Sequence, residues 1–481
     1  MNFADEAVTA VLVIPALTAA LLAFLPDYRA GAAVNVAAAF LTFLAALSLL
    51  FQRPAVGSYL FIDDLNNVFI TLTTFVGFTT SVFSASYIAH ELKIGRLTPT
   101  NLRFYHAMYQ TLMFALNLAL IANNIGLMWV AVELATLTTV LMVGIYRTHE
   151  ALEAAWKYFI LGSVGIALAL FGTILVYLAA QPVIGAGFES MVWTKLVARA
   201  AAFDSGILNL AFIFLLLGYG TKVGLAPLHA WLPDAHAEGP TPISAVLSGL
   251  LLNVALYALL RFKILLAANP NAIAPSPLMV IMGLVSLVFA SFMLYRRRDI
   301  KRFFAYSSIE HMGIVTFAFG LGGAIANFAG LLQMTMHSLT KSAIFFAVGH
   351  IAQAKGTQRF IQIHGLSESN PSLAFAFALT VVAIAGLPPF GIFKAEFLLA
   401  TSTFSRAPWL AVIFGFGLLV AFGALIIRLQ DVLFGKPSPS EAIPTATLFP
   451  LYAHLAIVLA AGIYLPQPLV RWFEAVAKML G

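Results

Sequence analysis

Long apolar runs dominate the chain, and each is close to the length that a helix needs to cross a bilayer. Crossing ~30 Å of hydrocarbon takes about 20 mainly apolar residues in a helix. We predict fourteen spans, at approximately 8–25, 31–51, 65–88, 105–122, 125–146, 155–180, 206–235, 241–265, 274–295, 302–321, 325–353, 371–400, 408–430 and 445–465. The segment 467–480 instead alternates apolar and charged residues at helical spacing. This pattern predicts an amphipathic helix at the membrane surface or against a partner subunit.

Two of the spans, the seventh and the twelfth, contain helix-breaking residues. Residues 218–242 and 383–400 mix Gly and Pro into apolar sequence beside a lysine. Such breaks at membrane depth occur around polar cavities, where other groups satisfy the freed backbone. Because the two breaks are an odd number of spans apart, we predict an inverted repeat of spans 4–8 against spans 9–13.

The predicted repeat divides the chain into four parts. They are residues 1–104 with the first three spans, 105–265 with the first five-helix repeat, 266–430 with the second, and 431–481 with the last span and the amphipathic helix.

Composition supports a membrane protein throughout. Hydrophobic residue types make up 61% of the 481 residues and charged types only 10%, whereas soluble chains are about one quarter charged. The chain has no cysteine, which excludes disulfides and cysteine-ligated iron–sulfur clusters within it. His337 and His350 could face stacked haems, but no second helix carries a matching pair. We therefore expect no cofactor in this chain and place any redox centres in partner subunits.

The distribution of basic residues predicts the orientation. The N-terminal segment carries Asp5 and Glu6 instead of the basic residues of a secretory signal, so we predict that the first span is retained. With the N-terminus outside, cytoplasmic loops hold about twice as many Lys and Arg as outside loops. The run RRRDIKR at 296–302 contributes most. We expect a bacterial cytoplasmic membrane protein with both termini outside.

Ionisable residues inside the spans are the candidate functional groups. A charge at the bilayer centre costs at least ~2.5–3.5 kcal/mol, so such residues usually face a partner or water. The candidates are Glu133, Lys222, His229, Glu310, His311, His337, Lys341, Lys394 and Glu396. For each, the alternative is a structural ion pair or a polar plug between helices.

Lysine inside a membrane favours protons as the transported ion. A buried lysine beside a mobile carboxylate can take up and release a proton as the carboxylate moves. Its ammonium group is a poor ligand for Na⁺. Histidine adds a relay group that titrates near physiological pH, and His337 lies one helical turn from Lys341.

Four segments carry a resemblance to a known family. They are MWVAVELATL with Glu133, GTKVGLAPLHAWLPDAHAEGPTPISA with Lys222, DIKRFFAYSSIEHMG, and GLPPFGIFKAEF. From about residue 65 to 430, the chain resembles the antiporter-like subunits of respiratory complex I, membrane-bound hydrogenases and Mrp cation/proton antiporters.

The resemblance implies fourteen spans, two inverted five-helix repeats, and broken seventh and twelfth spans. It also implies that Glu133 pairs with Lys222. A central residue on span 8 would follow, then histidines and a lysine on span 11. A lysine or a glutamate on span 12 would complete the path, and Lys394 and Glu396 match the two alternatives.

One position departs from many complex I members, which have a lysine or histidine on span 8. The matching residue here is Asn253. The relay must then depend on His337, Lys341, His311 or Glu310, with water between them. This neutral residue and the sequence SSIEHMG are most similar to component F of the hydrogenase-4 and formate hydrogenlyase group.

We therefore expect a proton-translocating subunit of a membrane-bound redox complex, of NADH:quinone oxidoreductase or hydrogenase type. It would have other membrane and peripheral subunits as partners and no catalytic centre of its own. One alternative is an Mrp-type Na⁺(K⁺)/H⁺ antiporter subunit, against which the scarcity of acidic ligands counts. Another is an energy-coupling subunit for inorganic carbon uptake.

Overall fold

The computed structural model describes residues 3–441 and 443–481, and most of them lie in helices. A helix satisfies its own backbone hydrogen bonds, which hydrocarbon cannot do, so apolar runs of this length fold as helices. The helices are α1 (Phe3–Phe24), α2 (Tyr28–Ser48), α3 (Asp64–Lys93), α4 (Pro99–Ile121), α5 (Ile125–Val143), α6 (His149–Ile184), α7 (Trp193–Arg199), α8 (Ser205–Val223), α9 (Leu232–Glu238), α10 (Thr241–Val246), α11 (Leu252–Ala267), α12 (Ser276–Tyr295), α13 (Ile300–Leu321), α14 (Ala324–Lys355), α15 (Leu366–Ser369), α16 (Pro371–Ile384), α17 (Gly391–Arg406), α18 (Pro408–Leu433), α19 (Phe449–Ile463) and α20 (Gln467–Met479).

The all-helical membrane architecture predicted from the sequence is confirmed. Each predicted span coincides with a helix or an interrupted pair of helices. Within residues 3–441 and 443–481, nine helices are long and apolar enough to cross a membrane by themselves. The total of fourteen crossings stays a prediction, because polar residues lower the hydropathy of several inner helices.

Both predicted breaks are present. Helix α8 ends at Gly224, whose φ of 78° places it in the left-handed region that favours glycine. The freed backbone groups find partners: the Ala226 amide donates to Ser286 Oγ at 2.9 Å, and the Trp231 indole donates to the Thr221 carbonyl at 2.8 Å. The second break separates α16 from α17 and contains Gly386, with a φ of 67°.

The segment from α10 to α11 forms the centre of the bundle. Residues 241–263 are all buried by the rest of the chain. Between the two helices, Leu247–Leu251 forms a π-helical turn, a feature that often occurs at functional sites. Gly249 in this turn lets α14 approach closely, since a Cβ there would lie 3.1 Å from the Ser338 carbonyl.

The amphipathic helix α20 lies against this chain itself. It bends away from α19 by 83°, and its Trp472 indole donates to the Asp64 carbonyl at 3.1 Å. Lys263 donates to the Leu480 carbonyl at 2.5 Å. The prediction of an amphipathic helix is thus confirmed, and its apolar face packs on neighbouring helix ends of the same chain.

The count of basic residues in outside loops takes each Lys or Arg to its nearest loop and so includes two residues that lie on the buried face of α11. One is Lys263, and the other is Arg261, which forms two hydrogen bonds with Asp63 at 2.6 and 2.8 Å. Nearest-loop assignment fails here because a paired arginine can remain inside a helix bundle.

Candidate proton-transfer site

Lys222 is fully buried near the end of α8. Its Nζ has no hydrogen-bond partner among the described residues and lies 5.3 Å from the centre of the Tyr158 ring. Gly162 on α6 provides the space, because a Cβ there would lie only 2.8 Å from Nζ. The chain thus holds an ammonium group in an apolar surrounding with almost no direct compensation, which is costly and typical of a functional residue.

Glu133 on α5 is the acidic residue that acts electrostatically on Lys222. Its side chain is half-buried, and its Oε2 is buried without a hydrogen-bond partner in the described part of the chain. No ion pair within 4.0 Å joins the two residues in that same part. Glu133 and Lys222 therefore interact across a gap. We call these two residues the first pair.

A second group of polar side chains forms a continuous cluster between α13, α14 and α17. Gln333 Nε2 lies 3.0 Å from His311 Nδ1 and 3.2 Å from Glu396 Oε1. His311 Nδ1 is 3.8 Å from Glu396 Oε1, and His311 Nε2 is 3.6 Å from Glu310 Oε2. Ser307 donates a long hydrogen bond of 3.4 Å to Glu310. Two carboxylates thus flank one imidazole, which is an arrangement suited to proton relay.

His337 and Lys341 extend this cluster along α14. The His337 ring lies 5.6 Å from that of His311, and both its nitrogens lack a partner among the described residues. Lys341 Nζ donates to the Phe304 carbonyl at 3.1 Å and is fully buried. Glu310 is the carboxylate that acts on it electrostatically. We call these residues, with Glu310, His311, Gln333 and Glu396, the second cluster.

The two alternatives on the twelfth span separate clearly. Glu396 is only 8% exposed and belongs to the second cluster, with its Oε2 where a Cβ on Gly386 would stand. Lys394 points elsewhere: it is partly exposed and donates to the Ala461 carbonyl of α19 at 3.1 Å. The structure therefore brings Glu396, and not Lys394, together with the other candidates.

Asn253 and His229 take different positions. Asn253 donates to Ser338 Oγ at 2.5 Å and to the Met334 carbonyl at 3.2 Å, next to His337. His229 lies in the first break, with its ring 4.8 Å from that of Phe289. It makes no hydrogen bond to either the first pair or the second cluster among the described residues.

Sequence reasoning did not single out Gln333 or His236. Gln333 connects two titratable groups through one amide, and a glutamine inside an apolar helix was the available signal. His236 is fully buried with both ring nitrogens unpartnered in the described chain. Its motif, PDAHAEGP, belongs to one of the four segments that carry the family resemblance, which implies no role for this histidine.

No group of three or more acidic or histidine side chains in the described residues has an arrangement that could hold a metal ion.

Comparison with known proteins identifies the class. A model of the family described as NADH:quinone oxidoreductase/Mrp antiporter, transmembrane, matches residues 122–421. The matched segment contains the first pair, both breaks and the second cluster. The chain belongs to this family of antiporter-like membrane subunits, as the four sequence segments predicted.

A near relative narrows the comparison. The chain is 59% identical over 471 residues to the hydrogenase-4 component F homolog of Methylacidiphilum infernorum, covering 98% of this chain and 99% of that protein. NADH-quinone oxidoreductase subunit M of Escherichia coli K12 is 31% identical over 332 residues, or 66% of this chain and 63% of that one. The predicted similarity to component F is confirmed.

Solved structures share the fold. A chain of the Mrp complex from Dietzia sp. superposes with a TM-score of 0.86 at 19% identity, over 100% of this chain and 98% of that one. A chain of respiratory complex I from Thermus thermophilus gives 0.81 at 23% identity, over 99% and 100%. These relatives are subunits of multi-subunit membrane complexes.

Proposed function

We propose that this chain is the proton-translocating subunit of a membrane-bound redox complex of the hydrogenase or NADH:quinone oxidoreductase type. The observation that carries the proposal is the pair of buried ionisable sites on one chain. The uncompensated Lys222 stands beside Glu133, and the second cluster joins two carboxylates to histidine and lysine. The similarity to a hydrogenase-4 component F homolog supports the redox complex as the setting.

In the proposed cycle, electron transfer in partner subunits changes the position of Glu133 relative to Lys222. When the carboxylate withdraws, the ammonium group loses its electrostatic support and releases its proton. Water carries that proton past Asn253 to His337 and Lys341. The second cluster then passes a proton through His311 to Glu396, from which it leaves on the outer side.

Glu396 is the proposed exit group on geometric grounds. Its Oε1 lies 3.8 Å from His311 Nδ1, within reach of a small adjustment or one water molecule. Lys394 instead donates to a carbonyl of α19. His229 has no proposed step, since its ring packs against Phe289 and Tyr306.

The experiment uses the assembled complex in vesicles, with Lys222→Ala and Glu133→Ala compared with Lys195→Ala, an exposed lysine on α7. We expect redox-driven proton pumping to be lost in the first two variants and kept in the third. Full pumping by both variants in an intact complex would contradict the proposal. Salt-driven proton flux without a redox substrate would instead favour a Na⁺(K⁺)/H⁺ exchanger.

We also propose that both termini lie outside the bacterial cytoplasmic membrane. The basic run at 296–302 supports this orientation, because Lys and Arg collect on the cytoplasmic side. The absence of native cysteine allows a direct test. A cysteine introduced at Glu6 should react with an impermeant thiol reagent in whole cells, whereas one at Arg298 should not.

A further inference from the structure

Contacts along α14 lead from the second cluster to the end of the bundle that carries the basic run 296–302, which we call the basic end. The positions 341, 345, 349 and 353 are four residues apart, so each lies about 40° around α14 from the one before it, and consecutive positions are neighbours on the helix surface. Lys341 belongs to the second cluster, and the next three positions contact His236, Thr241 and Glu91 in turn. At 1.5 Å per residue, this row of positions extends about 18 Å.

Glu91 lies at the outer end of this row. It sits in the last turn of α3 and is only 1% exposed. Its Oε1 accepts a hydrogen bond of 3.2 Å from Gln353 Nε2, while its Oε2 is buried without a hydrogen-bond partner in the described residues. Arg96, whose side chain is 60% exposed, approaches to 3.7 Å. Only the Arg96 side chain therefore separates the buried Glu91 carboxylate from water on this side.

Hydroxyl groups follow on the inner side of Glu91. Tyr87, one turn earlier on α3, accepts a hydrogen bond of 3.2 Å from Thr241. The Tyr146 hydroxyl is close to both Glu91 and Tyr87 but does not meet hydrogen-bond geometry with either. Gly349 lets this group reach α14, because a Cβ there would lie 3.0 Å from Thr241 Cγ2.

His236 occupies the next turn. Its ring stacks on Phe345 with centroids 4.8 Å apart and planes 4° from parallel. Lys301 and Lys341 both act on it electrostatically. Lys301 is itself held by the Ala237 and Gly239 carbonyls at 3.0 and 2.5 Å. Burying two ring nitrogens without hydrogen-bond partners costs folding free energy. A role in proton relay would explain why the chain keeps a histidine here.

We propose that Glu91, the Tyr87–Thr241 hydroxyl pair and His236 form a proton intake from the basic end of the bundle to Lys341. The inference rests on the proposed function and supplies Lys341 with a proton from the aqueous phase in each cycle, by a route that does not pass through Lys222, so that pumping requires both this intake and Lys222. Glu91 takes a proton from the aqueous phase and passes one inward through the hydroxyls and intervening water. His236 accepts it on one nitrogen and releases one from the other to the neutral amine of Lys341. His236 is left neutral as the other tautomer and regains the first when its ring turns over, Glu91 and the hydroxyls regain their protons, Lys341 gains one proton, and the aqueous phase loses one.

The competing explanation is mechanical: Glu91 could serve only to tie α3 to α14 through Gln353. The two roles respond differently to substitution. Gln353→Ala removes the tie and keeps the carboxylate, whereas Glu91→Gln keeps a side chain of the same size that can still bond to residue 353 but cannot relay a proton as a carboxylate does.

The test measures redox-driven proton uptake and electron transfer by the assembled complex in vesicles. The variants are Glu91→Gln, His236→Gln, Glu91→Asp and Gln353→Ala. Glu150→Gln is the matched control, an exposed glutamate on α6 near the same end of the bundle. We expect proton uptake to fall at least about tenfold in the first two, since one acid–base group typically contributes ~10²–10⁴-fold to a proton transfer. Glu91→Asp should retain much of the uptake, and Gln353→Ala and Glu150→Gln should be close to the unmodified complex.

The outcomes separate the intake from the proposed function. If Lys222→Ala abolishes pumping but Glu91→Gln and His236→Gln do not lower it, the intake is wrong and the proposed function stands. If Gln353→Ala reproduces the loss seen in Glu91→Gln, the role of Glu91 is mechanical and the intake is also wrong. If Lys222→Ala pumps at the full rate, the proposed function fails first.

Discussion

The first pair and the second cluster solve the problem of buried charge in opposite ways. Lys222 and Glu133 each have a polar atom without a hydrogen-bond partner in the described residues, and Glu133 is half-buried at the outer surface of the chain. In the second cluster, Glu396, Gln333 and His311 are connected by short polar contacts and enclosed by the chain. The two members of the first site make no direct contact, whereas the second is a connected group, although both His337 nitrogens, His311 Nε2 and Gln333 Oε1 also lack hydrogen-bond partners among the described residues.

This contrast suggests that the first pair and the second cluster have different roles. An unpaired buried charge responds strongly to small movements of its partner, because electrostatic interactions in a poorly hydrated site are strong. A connected network resists such movement and holds its groups within reach of one another. The first pair is therefore suited to sense a neighbouring subunit, and the second cluster is suited to carry protons.

The most decisive test compares substitution of Glu396 with substitution of Lys394, the two candidate exit groups on α17. We expect Glu396→Gln to lower redox-driven pumping about 100-fold, the lower limit of what one acid–base group typically contributes. Lys394→Gln should leave pumping nearly unchanged, because Lys394 only donates to a carbonyl of α19. Pumping rates of both variants in the assembled complex provide the measurement, and equal losses would remove the distinction between the two residues.

Crowding the connected site should have the next largest effect. Gly386→Ala places a methyl group where Glu396 Oε2 now stands and forces a side chain onto a residue with a φ of 67°. We expect a loss of pumping of about tenfold, equivalent to ~1.4 kcal/mol. Gly415→Ala is the control, since a Cβ there meets nothing within 4 Å. Unchanged pumping by Gly386→Ala would show that the position of Glu396 is not critical.

Replacing a glycine by alanine at the first pair, as Gly162→Ala, should lower pumping less. A Cβ on Gly162 would lie 2.8 Å from Lys222 Nζ, the end of a flexible side chain that can move aside. We expect pumping to fall only about threefold, or ~0.65 kcal/mol. If Gly162→Ala were as damaging as Gly386→Ala, the first pair would be as rigid as the second cluster.

Asn253 should show the smallest effect. Asn253→Ala removes two neutral hydrogen bonds, to Ser338 Oγ and to the Met334 carbonyl, each worth about 1 kcal/mol of unfolding free energy. Because the site holds no charge, pumping should decrease less than with Gly162→Ala. Thermal unfolding in detergent and pumping in vesicles measure the two quantities. A large loss of pumping with normal stability would instead place Asn253 directly in the proton path.

Sequence reasoning reached the helices and the broken spans because both depend on local composition. Apolar length predicts a span, and Gly224 and Gly386 lie where the helices break. It could not choose between Lys394 and Glu396, since two residues apart on a helix are about 200° apart and face opposite directions. Which direction faces Gln333 depends on how α17 packs against α14.

His236 was missed for a related reason. A histidine beside a break is equally compatible with packing and with relay when only the chain is known. Its stacking on Phe345, its unpartnered nitrogens and its place between Lys301 and Lys341 all depend on helices that are distant in sequence.

The sequence by itself determined that this chain is a membrane protein, where its helices break, and which ionisable residues lie within its predicted spans. Those properties follow from the high energetic cost of exposing polar groups to hydrocarbon, which acts on each segment separately. Only the tertiary structure decided which buried groups touch. It left Lys222 unpaired, joined Glu396 to His311, and aligned Glu91 with Lys341 along α14, because contact depends on how helix faces turn toward one another.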